Sequence, residues 1–303
     1  MRILYTTILV VIIGASLVAQ SSRICGAILP SAFDPRSHYD LDPVDGKSQK
    51  VRKLDRGTNN SKLVFQLQFH LIRSSRGVET ISDDKFQLAV ENLNSAFYGA
   101  DIQFKVSRRE VQDDSFQPFA KAHEAEIHRK CAKELVINVY CVEDLDLALD
   151  ASDPKTFIGY TYHPDDPDLD DYQRDMVIIT YSGLKEQTTL IHELGHFFGL
   201  YHTHEFSKDP NKMEYVSRYE CDKRGDGLCD TPADPDISGY VDANRDVENC
   251  TCDLGGHQDP FGDEYAPSIE NFMSYAPPLC RTSFSPGQLN RMKRYALTKR
   301  RYL

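Results

Sequence analysis

His192-Glu193-Leu194-Gly195-His196-Phe197-Phe198-Gly199-Leu200-Tyr201-His202 has the spacing H-E-x-x-H-x-x-G-x-x-H. The preceding residues Gln187, Thr188, Thr189, Leu190 and Ile191 are compatible with helix. Residues four apart on a helix share a face, so His192 and His196 project side by side toward one ion. Glu193, one step round that helix, is set to hold a water on the ion rather than to bind the ion, which is the position of a general base. Gly199 can take a positive φ, so the helix can stop there and the chain can turn back to bring in His202 as a third ligand. Three protein ligands leave a fourth position for water, the donor set of a catalytic rather than a structural zinc centre. His204, two residues on, is expected at the surface.

Downstream, Asn271-Phe272-Met273-Ser274-Tyr275 sets a methionine in a turn-like stretch followed by tyrosine. With the extended histidine motif, this resembles the metzincin clan of zinc peptidases, which carry a methionine turn beneath the metal. Within that clan, Asn-x-Met-x-Tyr, the segment Gly225-Asp226-Gly227-Leu228-Cys229-Asp230-Thr231-Pro232-Ala233-Asp234 and the helix start Ser285-Pro286-Gly287-Gln288 resemble the pappalysin family, including its small ulilysin-like members. The likeness covers roughly residues 62–300 and is strongest from His192 to Gln288.

The resemblance implies an α+β fold in which a twisted mixed sheet backs the active-site helix and a disulfide-rich lower subdomain ends in a C-terminal helix. It implies a zinc-dependent endopeptidase acting on proteins or peptides, with zinc on His192, His196 and His202, Glu193 as base, Tyr275 as oxyanion donor and Met273 as a packing residue below the metal. It also implies calcium (Ca2+) beside the zinc (Zn2+). The carboxylates of Asp226, Asp230, Asp234 and Asp236 are the local candidates, although no EF-hand spacing is present. The acidic loop from Asp165 to Asp171 reads first as a solvated turn and second as a calcium site. Family members that cut beside basic residues carry an acid just ahead of the cysteine after the methionine turn. Here that stretch is Ala276-Pro277-Pro278-Leu279-Cys280, so an apolar preference after the cut is expected instead.

At 303 residues the chain holds one sizeable domain with a short extra segment. Its 46 acidic and 35 basic residues give a net charge of −11, which disfavours nucleic acid or an anionic membrane as partner. A charged start, an apolar run from Ile8 to Ala19 and small residues near Ala15 and Ala19 have the form of a signal peptide over residues 1–20. The expected product is a secreted, extracellular monomer, with no membrane contact once the signal is removed. Residues 21–60 are polar and proline-broken, with a basic cluster at Lys47, Lys50, Arg52, Lys53 and Arg56, and read as a pro-segment and protease-sensitive linker. The catalytic domain is placed at 61–303, its upper half running to residue 199 and its lower half from residue 200. Sequons stand at Asn59 and Asn249.

Strands are expected at 62–71, 101–106, 135–142, 157–162 and 176–181, and a helix after Ser82 with Phe86, Val90, Leu93 and Phe97 on one stripe. The stretch from Gly159 to His163 is the candidate edge strand for holding substrate. Arg108 to Lys130 has no clear period, and His123 and His128 are expected to face solvent. Leu289, Met292 and Ala296 form the buried face of the last helix, ahead of a basic, frayed tail.

Eight cysteines in an exported chain point to disulfides. Cys131 and Cys141 are close enough for a local bridge. By resemblance, Cys221 links to the Cys250/Cys252 pair and one of that pair to Cys280, with Cys229 extra. Cys250-Thr251-Cys252 has no matching second pair for a zinc knuckle. Arg23-Ile24-Cys25-Gly26 resembles the switch motif of metzincin zymogens, in which a thiolate fills the open metal position. A switch role for Cys25 leaves seven other cysteines and one unpaired, so both uses stay open. The alternative function, a secreted binding or adhesion protein on an inactive protease fold, is opposed by the intact Glu193 and histidines.

Overall fold

The computed structural model describes the backbone of residues 23–28 and residues 62–75, 80–146, 156–239, 250, 252 and 254–303. The expected signal peptide, the basic cluster from Lys47 to Arg56, and Asn59 and Asn249 lie outside the described residues. In chain order the elements are β1 (Arg23–Ile28), β2 (Leu63–Arg73), α1 (Asp83–Phe97), β3 (Ile102–Gln112), β4 (Phe119–Ala120), α2 (Glu124–Cys131), β5 (Ile137–Val142), β6 (Leu145–Asp146), β7 (Thr156–Tyr162), β8 (Met176–Thr180), α3 (Tyr181–Lys185), α4 (Thr188–Phe197) and α5 (Pro286–Thr298). Six strands form one mixed sheet in the order β1-β7-β8-β5-β2-β3, while β4 and β6 make a small separate pair. Every pairing in the large sheet is parallel except β7 with β8.

Both faces of this sheet are covered, which is why its central strands are continuous apolar runs rather than alternating ones. Ile137, Val139 and Cys141 of β5 join the cluster shared with α1, α4 and α5, whereas Tyr140 and Val142 join a second cluster with Ile127 and Cys131 of α2. The expected bridge between Cys131 and Cys141 is therefore absent. One cysteine points to each side of the sheet. The helix α1 is capped by Ser82, which accepts from Lys85 N, and buries Phe86, Ala89, Leu93 and Phe97. Ala89 takes the deep position and Val90 packs at its margin.

Between Arg108 and Lys130 the chain completes β3, forms β4 and enters α2. His123 and His128 are half-buried rather than solvent-facing. His123 accepts from Ala120 N at 3.1 Å and packs against Phe116 and Phe119, and His128 packs against Tyr172. Apolar partners supplied by the far face of the sheet draw both rings inward.

Beyond residue 200 the described chain is mainly turns until α5. Two disulfides tie this half, Cys221–Cys229 and Cys250–Cys280. The second agrees with the expected link of the Cys250/Cys252 pair to Cys280. The first replaces the expected partner of Cys221: Arg218 donates to the carbonyls of Cys229 and Thr231, folding the loop so that the two cysteines meet locally. Cys252 packs with Cys250 in a small cluster around Ile237 and Leu254.

At the expected helix start of α5, Ser285 and Gln288 form a capping box, and Met292 and Ala296 are buried. The tail beyond is docked rather than frayed. Arg300 is buried, donating to Phe197 O at 3.0 Å and to Arg174 O, because the last turn of α4 leaves carbonyls that need a donor.

Candidate active site

The helix α4 is buried from Thr189 to Phe197, wedged between the sheet and the lower half. It ends where Gly199 takes φ +84°, and Leu200 N donates to Gly195 O at 3.0 Å. A Cβ on Gly199 would also lie 2.5 Å from the Tyr295 ring, so both the turn and the close packing require glycine. The turn swings His202 back toward the helix. His196 Nε2 lies 3.1 Å from the Nε2 atoms of both His192 and His202.

The rear nitrogens fix the tautomers. His192 Nδ1 donates to Phe272 O at 2.6 Å, His196 Nδ1 donates to Leu200 O at 2.8 Å, and His202 Nδ1 faces Glu205 at 3.5 Å. With hydrogens on Nδ1, three Nε2 lone pairs converge on one point, an arrangement that needs a cation. Burial holds all three rings neutral: it pushes His202 down to about 3 and His192 and His196 well below the usual range, with their mutual proximity adding to it. Tetrahedral zinc with bonds of about 2.0–2.1 Å has donors about 3.3 Å apart, so the donor set and its spacing suit that ion. Among the described residues, this is the group of three or more His, Cys, Asp or Glu side chains that can hold a metal.

Glu193 is buried beside this group, packed on the backbone of β7, where a Cβ at Gly159 would lie 3.2 Å from Glu193 Oε1. Met273 is buried beneath, its Sδ 2.5 Å from the position of a Cβ on Gly195. The turn that carries it is held by an amide pair. Asn271 Oδ1 accepts from Met273 N at 2.9 Å and from Gln288 Nε2 at 3.0 Å, while Asn271 Nδ2 donates to Gln288 Oε1 at 2.9 Å. Tyr275 lies against His202, with ring centroids 4.6 Å apart.

His204 is a correction to the surface expectation. It stacks on His202 at 4.9 Å and packs on Tyr275 at 4.3 Å, and burial pushes it down to about 4. Sequence reasoning also passed over Arg281, whose Nη1 lies 3.3 Å from His192 Nδ1, and the pairing of Gln288, read only as part of a helix start, with Asn271 of the turn. For Gln288 the signal was present, since the capping-box residue faces the motif across the helix start.

Of the two acidic stretches, the first opens on Asp165, which Lys299 at 3.0 Å and the Tyr295 hydroxyl both reach. In the second, Asp226 is buried with Glu214, which lies outside the stretch picked from the sequence. Burial pushes Asp226 up to about 7 and, with Asp226 nearby, pushes Glu214 up to about 8. Glu214 Oε2 and Asp226 Oδ2 have no partner among the described residues. Asp234 accepts from Thr203, Asp236 lies toward His204, and Asp230 accepts from Ser285 and Gly287 at the start of α5. The backbone of β1 runs parallel along β7 with Cys25 in register with Gly159.

The family described as pregnancy-associated plasma protein-A matches residues 130–296, more than half of the chain. The chain belongs to this family of zinc metalloendopeptidases. An extracellular metalloprotease of Arthroderma gypseum is 26% identical over 302 residues, covering 95% of this chain and 89% of that one. Another, from Colletotrichum graminicola, is 26% identical over 306 residues and covers 96% of each chain. Among solved structures, metalloproteinase-II from Bacteroides fragilis has a TM-score of 0.29 and 17% identity, over 46% of this chain and 43% of that one, a likeness too low to bear on the fold.

Because Asn271 holds the turn whose Phe272 carbonyl orients His192, Asn271→Ala is expected to weaken zinc retention by about tenfold against a competing chelator. Unchanged retention would show that the carbonyl is positioned without the amide pair.

Proposed function

We propose that this chain is a secreted, monomeric zinc endopeptidase in which Glu193 acts as general base and Tyr275 as oxyanion donor. The observation that carries the reading is the convergence of three buried, neutral imidazole nitrogens beside the Glu193 carboxylate at the edge of β7. When bound by His192, His196 and His202, zinc lowers the pKa of a coordinated water to about 7 and polarises the scissile carbonyl. Glu193 takes a proton from the attacking water at a carboxylate oxygen and returns it to the leaving amine nitrogen. The Tyr275 hydroxyl donates to the oxygen on which negative charge develops. Met273 keeps Gly195 and the ligand-bearing helix in place from below. Around Gly159, β7 holds the substrate main chain by strand pairing.

Residues 1–20 are assigned as the signal peptide, 21–60 as the pro-segment and 61–303 as the catalytic domain, divided near residue 199. The extracellular names of the relatives support export. Among the described residues no helix is long and apolar enough to cross a membrane. The pairing of β1 with β7 supports latency through the pro-segment, with the Cys25 thiolate taking the open metal position, since its register brings it opposite the glycine that touches Glu193. Calcium is assigned to the buried Glu214 and Asp226 carboxylates, whose unpartnered oxygens call for a cation.

Glu193→Gln should retain one zinc per chain while lowering kcat/KM by about a hundredfold or more, and Tyr275→Phe should lower kcat with little change in KM. Full activity of Glu193→Gln would remove the base assignment. In the unprocessed protein, Cys25→Ser should raise activity toward that of the processed enzyme, and unchanged latency would leave Cys25 without that role. Adding calcium to chelator-treated protein should raise the thermal midpoint, and Asp226→Asn should abolish the rise. A midpoint indifferent to calcium would reject the site.

A further inference from the structure

A cavity of about 950 Å³ lies between α1, the start of α4 and the segment after the methionine turn, and Ile191, the residue before His192, belongs to its lining. Thr188 and Ile191 form its α4 side, Phe272 its turn side, and Arg281 part of its wall. Leu279, the residue from which apolar selection was expected, is 65% exposed and stands at the rim. Arg281, two residues later, is only 4% exposed.

This guanidinium is poorly satisfied. Nε is buried and has no partner among the described residues. Nη1 faces His192 Nδ1 at 3.3 Å, but that nitrogen already gives its hydrogen to Phe272 O, so it has no lone pair to offer. The other charged side chains lining the cavity are Lys185 and Glu186. Both belong to the half-buried approach to α4, and Glu186 lies 3.5 Å from Thr189 Oγ1. Arginine is almost never fully buried without an anion, and a planar guanidinium presents paired donors that match a carboxylate.

We infer that this cavity is a specificity pocket for an acidic side chain: Arg281 binds the carboxylate of an aspartate or glutamate adjacent to the scissile bond. The inference rests on the peptidase reading of the same site and adds its substrate class. Contact between the Arg281 guanidinium and the back of His192 puts the cationic wall next to the reacting centre, within reach of a flanking side chain rather than a distant one. Glutamate, with the longer stem, extends further into the cavity than aspartate does. The apolar surfaces of Ile191 and Phe272 receive its methylenes.

The test is cleavage of a mixed peptide library by the processed zinc enzyme, with products sequenced by mass spectrometry. Cuts should be enriched for Glu or Asp at one flanking position, and that enrichment should fall by about tenfold or more in Arg281→Gln. Arg281→Lys should recover part of it, because charge is kept while the paired donors are lost. Zinc content is measured in parallel, so that a variant that loses the metal is set aside and the wild-type profile decides. Glu193-dependent cleavage with apolar or basic residues favoured at both flanking positions would overturn the inference, as would cuts confined to the last peptide bond, which would mean that a chain-terminal carboxylate is the ligand. No Glu193-dependent cleavage at all would instead reject the peptidase reading itself.

Discussion

The hydrogens on the three Nδ1 atoms govern this structure. An imidazole offers a lone pair to a metal at one nitrogen only if the other keeps its hydrogen, and in a buried site that hydrogen must be accepted. For His192 and His196 the acceptors come from different parts of the chain, the Phe272 carbonyl in the methionine turn and the Leu200 carbonyl just past Gly199, while the Glu205 carboxylate stands 3.5 Å from His202 Nδ1. The helix supplies two histidines, but the second half of the chain supplies their orientation. The site is therefore a product of tertiary folding and not of the motif alone.

That dependence explains why so much of the lower half serves the helix. Met273 fills the space left by the absent side chain of Gly195, Tyr295 of α5 packs over Gly199, and Gln288 of the same helix pairs with Asn271. The first two contacts join the turn and α5 to the metal-bearing segment, and the third joins α5 to the turn. The Cys250–Cys280 disulfide anchors the stretch that runs from the turn toward α5, where Arg281 meets His192. Such packing leaves few places where a volume change would be absorbed locally.

Strands β2, β3, β5, β7 and β8, the zinc-type helix, the start of α5 and the turn around Met273 were legible in the sequence because each rests on short-range rules of period, cap chemistry and motif spacing, whereas β1, β4 and β6 were not read as strands. The misread residues depend on what arrives from elsewhere. His204 looks like a surface residue until Tyr275 closes over it, and His123 and His128 look polar until the far face of the sheet offers them aromatic partners. Cys131 and Cys141 are near in sequence, yet a strand alternates its faces, and the sheet separates them. Cys221 could not be paired by counting, because its partner is chosen by where Arg218 gathers the loop. Glu214 and Arg281 carry no local signature; each acquires meaning only from a buried neighbour.

Arg300 gives the end of the described chain an unexpected place in this scheme. Its Nε serves the Phe197 carbonyl at the close of α4, and its guanidinium lies 3.7 Å from the centre of the Phe197 ring. A cation at the carboxyl end of a helix opposes the partial negative charge that collects there. Phe197 follows His196 directly, so a residue of the C-terminal tail holds the end of the helix that carries two of the histidines. Shortening the chain by as few as four residues would leave the end of the catalytic helix with an unanswered carbonyl, although every motif residue would still be present.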